Sequence, residues 1–424
     1  MAKESPSWFQ RRTYLHFDRP VGAKKAERVV SDPVEVARHS FFPFLTYNIT
    51  SHKARKTEAG NMEMVAKERP IHYAAHMDSH IYSYYAEILS ELYEKKLSEL
   101  GISSSVLAFR KLGKSNIEFA KDAFDIIKMK APCVAVGYDV SKFFQKIDHA
   151  KLKATWVGLL DEEILPKDHH AVFRSLTKYA EMDRGKVYEI LGLPKYNKKS
   201  IGPRICSPSQ FRETVRPSKE MYVNDRSVGI PQGSPISALL SNIYMINFDC
   251  AIAEVAKEAG AYYCRYCDDI LVVCDTENVV DFEDLIRREL GKLKLDINEQ
   301  KTDKARYRVS KGKVYCDRPI QYLGFLFDGE SVFLRSASLA RYSERMRRGV
   351  HLAKKTKRKY NKMRVKRGEP IRRLYKKKLY ARYSHLGRRN FVRYGLRAAD
   401  IMESKEIRQQ LKPLWRRLKE EMER

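Results

Sequence analysis

Three short apolar runs interrupt a chain that is otherwise strongly polar. Cys133-Val134-Ala135-Val136-Gly137-Tyr138 ends on Asp139, while Ala261-Tyr262-Tyr263-Cys264 and Ile270-Leu271-Val272-Val273-Cys274 flank Tyr266-Cys267-Asp268-Asp269. Runs of this length, rich in β-branched and aromatic residues, predict buried strands, and the last two predict a hairpin with the acids at its tip. From Ile71 to Leu100 the apolar period is helical, with Ile81, Tyr84, Tyr85, Ile88, Leu89, Leu92 and Leu97 in one stripe. Gly229-Ile230-Pro231-Gln232-Gly233-Ser234-Pro235-Ile236-Ser237 predicts a loop, and the apolar run through Tyr244 after it a helix. Residues 151–222 read as a long insertion, whose loop from Pro194 to Ser218 is rich in Lys, Arg, Pro and Ser and is a candidate nucleic-acid contact. Residues 1–60 are a polar, basic lead-in with one apolar patch, Phe41-Phe42-Pro43-Phe44-Leu45, and no readable role.

The candidate chemistry sits at the strand ends. Asp268 and Asp269 are adjacent like charges, which repel, and a structural hairpin has no need of them. A solvated Asp-Asp turn is the plain alternative. A divalent cation would supply the missing compensation, since Mg²⁺ takes one or two carboxylates together with substrate phosphates. Asp139 closes another strand and could cap a helix. A two-metal site, however, needs carboxylates converging from separate elements, and the spacing of Asp139 and Asp268 suits neighbouring strands separated by a long excursion. In the Gly- and Pro-rich loop, glycine permits close approach of backbone to a ligand, and the helix start after it presents N–H groups.

Charge adds a partner to this picture. Lys and Arg number 82 against 53 Asp and Glu, a net charge of +29, which implies a polyanion. Most of the excess lies in residues 331–424, with 31 basic and 8 acidic side chains. The runs Lys354-Lys355-Thr356-Lys357-Arg358-Lys359 and Arg372-Arg373-Leu374-Tyr375-Lys376-Lys377-Lys378 carry it, with aromatic residues interleaved. One such run is usually a solvated helix face; a whole segment of them predicts a helical unit clamping nucleic acid. No apolar run has membrane-spanning length and no secretory signal is evident, so no membrane is expected and a cytoplasmic location is. The seven cysteines are then expected to be reduced. Cys264 and Cys267 have CxxC spacing, but a strand between them sends their side chains to opposite faces, which favours packing over zinc.

In order, these blocks resemble the palm motifs of reverse transcriptases: an Asp followed by Phe143-Phe144, a Pro-Gln-Gly loop, and Tyr-x-Asp-Asp. Leu293-Lys294-Leu295-Asp296-Ile297-Asn298-Glu299-Gln300-Lys301-Thr302 resembles the segment after the catalytic hairpin, and Gln321-Tyr322-Leu323-Gly324-Phe325 the primer grip. Lys67-Glu68-Arg69-Pro70-Ile71 with Asp78, and Phe109-Arg110-Lys111-Leu112-Gly113-Lys114-Ser115-Asn116, resemble the fingers of the bacterial, group II intron-like branch. The resemblance covers about residues 60–330. It implies an α+β right-hand polymerase with fingers, an RRM-like antiparallel-sheet palm and a helical thumb. The expected divisions are an N-terminal extension (1–60), fingers (61–132), palm (133–330, with its insertion at about 151–222) and basic thumb (331–424).

The resemblance also implies roles. Asp139, Asp268 and Asp269 would be catalytic and, with the backbone of Val140, would hold two Mg²⁺ ions, for which Mn²⁺ could substitute. Arg69, Phe144, Gln232, Gly233, Cys267 and Lys301 would bind the nucleotide. Phe144 would be the sugar gate: a ring that leaves a 2′-hydroxyl buried without a partner costs a few kcal/mol, enough for a preference of about 100-fold for deoxynucleotides. Cys267 would brush the primer end or the incoming sugar, and Lys301 would protonate pyrophosphate. Tyr322, Leu323 and Gly324 would grip the primer. Arg110, Lys111, Lys354, Lys355, Lys357, Arg358, Arg372 and Arg373 would contact nucleic acid. Asn242 and Asp249 would serve the hydrogen bonding of the palm.

Partners implied are deoxynucleoside triphosphates, an RNA–DNA duplex and a structured noncoding RNA acting as template and scaffold. Within the branch, the Cys in the hairpin and the lack of a Val-Thr-Gly thumb tripeptide resemble the stand-alone, defence-associated "unknown group" enzymes, most like type 2, which act against phage. Template-independent or protein-primed synthesis of the abortive-infection type, a retron or group II intron-derived enzyme, and an RNA-binding scaffold with a vestigial site are the alternatives. No ribonuclease H-like or endonuclease-like module is expected in these residues.

Overall fold

The computed structural model describes residues 5–56, 62–194 and 202–424. Sheet structure begins with an antiparallel hairpin of β1 (Phe44–Lys56) and β2 (Met62–Tyr73). Pro70 lies in β2, which is an edge strand, where a residue without an N–H is tolerated. β3 (Cys133–Asp139) opens a second sheet. β4 (Ala180–Asp183) returns to the first and pairs parallel with β1, and β5 (Tyr222–Val223) completes the order β2-β1-β4-β5.

The second sheet holds the predicted hairpin. β6 (Tyr262–Tyr266), β7 (Asp269–Cys274), β8 (Asp303–Ser310) and β9 (Lys313–Cys316) join β3 in the order β6-β7-β3-β8-β9. Every neighbour in it is antiparallel. β3 and β7 read as continuous apolar runs because both faces of this sheet are covered. Val134, Val136, Tyr138, Ile270 and Val272 pack into one core with helices His76–Glu99, His149–Leu160, Ser237–Tyr244, Ile246–Glu258 and Val279–Lys292. Cys133, Ala135, Leu271 and Val273 alternate into the other, against helix Asn116–Lys130 and the C-terminal helices. Cys264 belongs to the second core and Cys267 to the first, and neither is in a disulfide.

A third small sheet, β10 (Ile320–Tyr322), β11 (Phe325–Phe327) and β12 (Val332–Leu334), leads into helix Ser336–Lys366. Only Tyr342, Met346 and Val350 of that helix are buried. They are spaced by four residues on one face, so its first half is docked and its second half projects. Helices Lys376–Tyr383, Phe391–Ile401 and Lys405–Glu423 follow. Among the described residues no single helix is long and apolar enough to cross a membrane.

The structure departs from the sequence expectations in three places. The helical stripe assigned to residues 71–100 starts at His76, because Ile71, His72 and Tyr73 are held in β2 by pairing with β1. A boundary at residue 60 divides the β1–β2 hairpin, so the lead-in is part of a sheet. The insertion, expected within the palm, shares a sheet and a small core with the lead-in: β4 pairs with β1, and Phe17, Leu45, Met182, Ile205, Cys206 and Val215 are buried together. Of the loop at 194–218, residues 195–201 lie outside the described residues.

Candidate active site

Asp139 and Asp269 are directly opposite one another in the β3–β7 register. Such residues share a face of an antiparallel sheet, with Cα atoms about 4.5–5.5 Å apart. Asp268 is the second residue of the two-residue turn between β6 and β7, and its carbonyl accepts the Val140 N–H at 3.0 Å. The turn is thereby stitched to the end of β3. All three carboxylates line a cleft of about 800 Å³.

This concentration of charge has a measurable consequence. Burial, then Asp268, then Asp139 push the Asp269 carboxyl up to about 7. Lys301 compensates in part: its Nζ donates to both oxygens of Asp139, at 2.6 Å to Oδ1. Among the described residues no three metal-binding side chains are gathered around one point. The donor chemistry nonetheless fits a hard divalent cation, because the three groups are all carboxylates and they strain against one another without one.

The Cys267-Asp268 turn rests on a group that the sequence pattern did not reveal. Cys267, its first residue, has φ +60, a conformation that hairpin turns of two residues require and that a non-glycine residue adopts at a cost. Arg265, wholly buried, holds that residue in place: its Nη1 donates to the Cys267 carbonyl at 3.0 Å and to Asn242 Oδ1 at 3.1 Å. Its Nε and Nη2 fork onto buried Asp249 at 2.7 and 2.5 Å, and Tyr263 OH donates to the same carboxylate. Asn242 Nδ2 in turn donates to the Ala108 carbonyl at 2.8 Å. A bidentate, fully hydrogen-bonded pair is the arrangement in which a buried ion pair is tolerated.

Around this centre the remaining predicted residues fall into two groups. Arg69, Lys301, Tyr322, Leu323 and Gly324 line the cleft with the carboxylates. The Leu323 carbonyl accepts from Asn116 Nδ2 at 3.1 Å, and the Gly324 carbonyl from the Arg335 N–H at 3.2 Å. Asn116, the last residue of the fingers-like block, also lines it, as do Arg318 and Arg335, which nothing in their sequence surroundings singled out. The Gln232 carbonyl accepts the His72 N–H at 2.9 Å, docking the Pro-Gln-Gly loop on β2. Gly233 has φ +118, and a Cβ there would meet the His72 carbonyl at 2.5 Å, so that position has room only for glycine. Phe143 is buried, whereas Phe144, beside it at 5.7 Å between rings, is only partly covered.

Other predicted contacts have different partners. Arg110 is not free for nucleic acid: its guanidinium donates to Glu94 at 2.8 and 2.6 Å and to the carbonyls of Ser103 and Val106. The Cys267 thiol is buried in the core and does not line the cleft. Lys354 is tied to the Glu421 carbonyl at 2.7 Å. Lys111, Lys355, Lys357, Arg358, Arg372 and Arg373 are exposed.

Residues 69–327 match the model of the reverse transcriptase (RNA-dependent DNA polymerase) family, well over half of the chain. The chain belongs to the reverse transcriptase family. The family is one of RNA-dependent DNA polymerases; the chain has its α+β right-hand fold, and reverse transcriptase domains use divalent metal ions. Solved structures similar to this reverse transcriptase include apo telomerase from Candida tropicalis truncated from its C-terminal domain, at 10% identity and TM-score 0.42, covering 74% of this chain and 61% of that one. Apo telomerase from Candida tropicalis matches at 12% identity and TM-score 0.45, over 76% of this chain and 54% of that one. Telomerase from Candida albicans, in complex with a TWJ fragment of telomeric RNA, matches at 11% and 0.43, over 94% and 64%. The reverse transcriptase described here thus spans less than two thirds of the length of each.

Proposed function

We propose that this reverse transcriptase copies a dedicated, structured noncoding RNA into DNA by two-metal nucleotidyl transfer, with Asp139, Asp268 and Asp269 as ligands of two Mg²⁺ ions. The observation that carries this reading is the register: Asp139 faces Asp269 on one surface of the sheet, with Asp268 in the adjoining turn. When bound, the ions would activate the primer 3′-hydroxyl and neutralise the triphosphate and its pyrophosphate leaving group, with the Val140 carbonyl as a further oxygen ligand. Arg69 holds the triphosphate in a guanidinium fork. The Phe144 ring lies under the sugar and leaves a 2′-hydroxyl no partner. Lys301, released from Asp139, carries the proton needed by departing pyrophosphate. The backbone of Tyr322, Leu323 and Gly324 positions the primer strand.

In this reading residues from about 61 to 132, together with the β1 strand, form fingers around the nucleotide, residues 133–330 the palm, and residues 331–424 a thumb on the template–product duplex. The RNA partner is supported by the thumb's charge, with 31 basic residues against 8 acidic. Antiphage defence in the bacterial cytoplasm is the role that the Cys267-containing hairpin motif supports by resemblance.

Purification of the active protein and of a variant with Asp268→Ala and Asp269→Ala tests the assignment, followed by sequencing of the nucleic acid each retains. The active protein is expected to carry one defined RNA with complementary DNA, and the variant the RNA alone. DNA synthesis by the variant would remove the carboxylates from the mechanism, and nucleic acid covalently attached to protein would replace RNA templating with protein priming.

A further inference from the structure

We infer that the thumb holds a second nucleic-acid site, separate from the duplex path, which captures an unpaired stretch of strand by stacking its bases between Tyr360 and Tyr375. The inference rests on the reading of residues 331–424 as a nucleic-acid-binding unit and names what one part of that unit takes.

The site is a cavity of about 940 Å³ between the projecting half of helix Ser336–Lys366 and the returning segment through helix Lys376–Tyr383. Its volume lies at the upper end of the roughly 300–1,000 Å³ found for ligand clefts, which is room for more than one base. Its outer wall is fixed by a two-way clamp: Asn361 Nδ2 donates to the Arg372 carbonyl at 2.9 Å, and the Arg372 N–H donates to Asn361 Oδ1 at 3.0 Å. Seven cationic side chains line the cavity and no carboxylate does. Among the described residues Arg364 alone of these reaches an acid, Glu369 at 3.7 Å, so the field inside is that of an anion receptor.

The rings decide the kind of anion. Tyr360 and Tyr375 are 54% and 61% exposed, which gives up the burial that large aromatic side chains otherwise gain. A duplex keeps its bases stacked inside and presents phosphates, sugars and base edges but no open base faces along its length, so it offers these rings little to stack on. Unstacked bases expose those faces, and aromatic rings among basic residues are the general means of holding single strands. The cavity shares no lining residue with the catalytic cleft. Arg335 lines that cleft and directly precedes the long helix; Tyr360 lies 25 residues further along, about 37 Å at the rise of an α-helix. A strand held here is therefore beyond the reacting nucleotide, either as an unpaired part of the RNA partner or as displaced product DNA.

Binding of the full chain to three labelled probes tests the site: oligouridylate, oligothymidylate and a blunt RNA–DNA hybrid, each with the same number of phosphates. For the variant with Tyr360→Ala and Tyr375→Ala, the affinity for the preferred single strand is expected to fall at least about 10-fold, in keeping with the loss of one or two stacked bases, while hybrid affinity is unchanged. The variant with Tyr360→Phe and Tyr375→Phe should bind as the parent does. Whichever single strand the parent prefers identifies the source, RNA partner or new DNA. Equal losses for all three probes, or no loss for either single strand in a variant that melts as the parent does, would overturn the inference. Because the measurement is of binding, failure of the catalytic assignment would leave it intact.

Discussion

Arg265 carries a full charge to a place that water does not reach, and the geometry of the Cys267-Asp268 turn depends on it. Removing one partner of a buried ion pair typically costs about 3–5 kcal/mol. Arg265→Met should therefore lower the melting temperature markedly, whereas Arg265→Met combined with Asp249→Leu should recover much of that stability in a thermal melt. Activity should not recover in the double variant, because the Cys267 carbonyl stays without its donor. Recovery of both would show the network to be structural only. Phe144→Ala should admit ribonucleotides, with the preference for deoxynucleotides falling by about 100-fold in single-nucleotide incorporation. Residue identity was legible in the sequence where a short motif sits on an apolar run, as for Asp139, Asp268 and Asp269. It was not legible for cations. Arg110 and Arg265 look like any surface arginine until the fold supplies Glu94 and Asp249, which lie 16 residues away in each case.

At the scale of elements, the contacts that matter join segments far apart in the chain. The Pro-Gln-Gly loop is seated on β2 with no clearance at Gly233. Gly233→Ala adds an atom that overlaps the His72 carbonyl and a side chain at φ +118, a strain of about 1–3 kcal/mol. The expected result is a weakened KM for deoxynucleotides with the overall fold retained, read from steady-state kinetics beside a melting curve. The lead-in segment offers a test in pH. Burial, with the nearby His76 charge, holds His16 neutral with its pKa down at about 3. A histidine whose folded pKa lies below its unfolded value of about 6.5 contributes stability that is complete above that pH and is lost as pH falls toward the folded value. Between pH 6.5 and 5 the His16 share of this loss is about 2 kcal/mol. Burial also lowers the pKa of His76, His80, His149 and His169, so in denaturant titrations His16→Gln should lose less stability than the parent over that range, by about that share, and still decline. The strands that end on Asp139 and flank Asp268, and the helix His76–Glu99, were readable from period. The parallel pairing of β4 with β1 was not, because Phe44 and Glu181 are brought together by packing that no local pattern encodes.

For the whole molecule, charge is the dominant property. With +29 overall, binding of nucleic acid should weaken linearly in log–log plots against salt, with a slope of about −0.7 to −0.9 per phosphate neutralised. Lys357→Ala together with Arg358→Ala should make that slope shallower by about 1–2 in salt-titrated binding, and an unchanged slope would place both outside the contact. The long thumb helix shows what such a charge demands. Past Val350 no side chain in it is buried, and its cations face one another with few acids between them, so the free protein holds up an arm whose own electrostatics oppose its winding. Trypsin should nick that arm first, and a bound polyanion should shield it. Assembly with the template strand would then be the final stage of folding, leaving a polymerase without its nucleic acid the more perishable form.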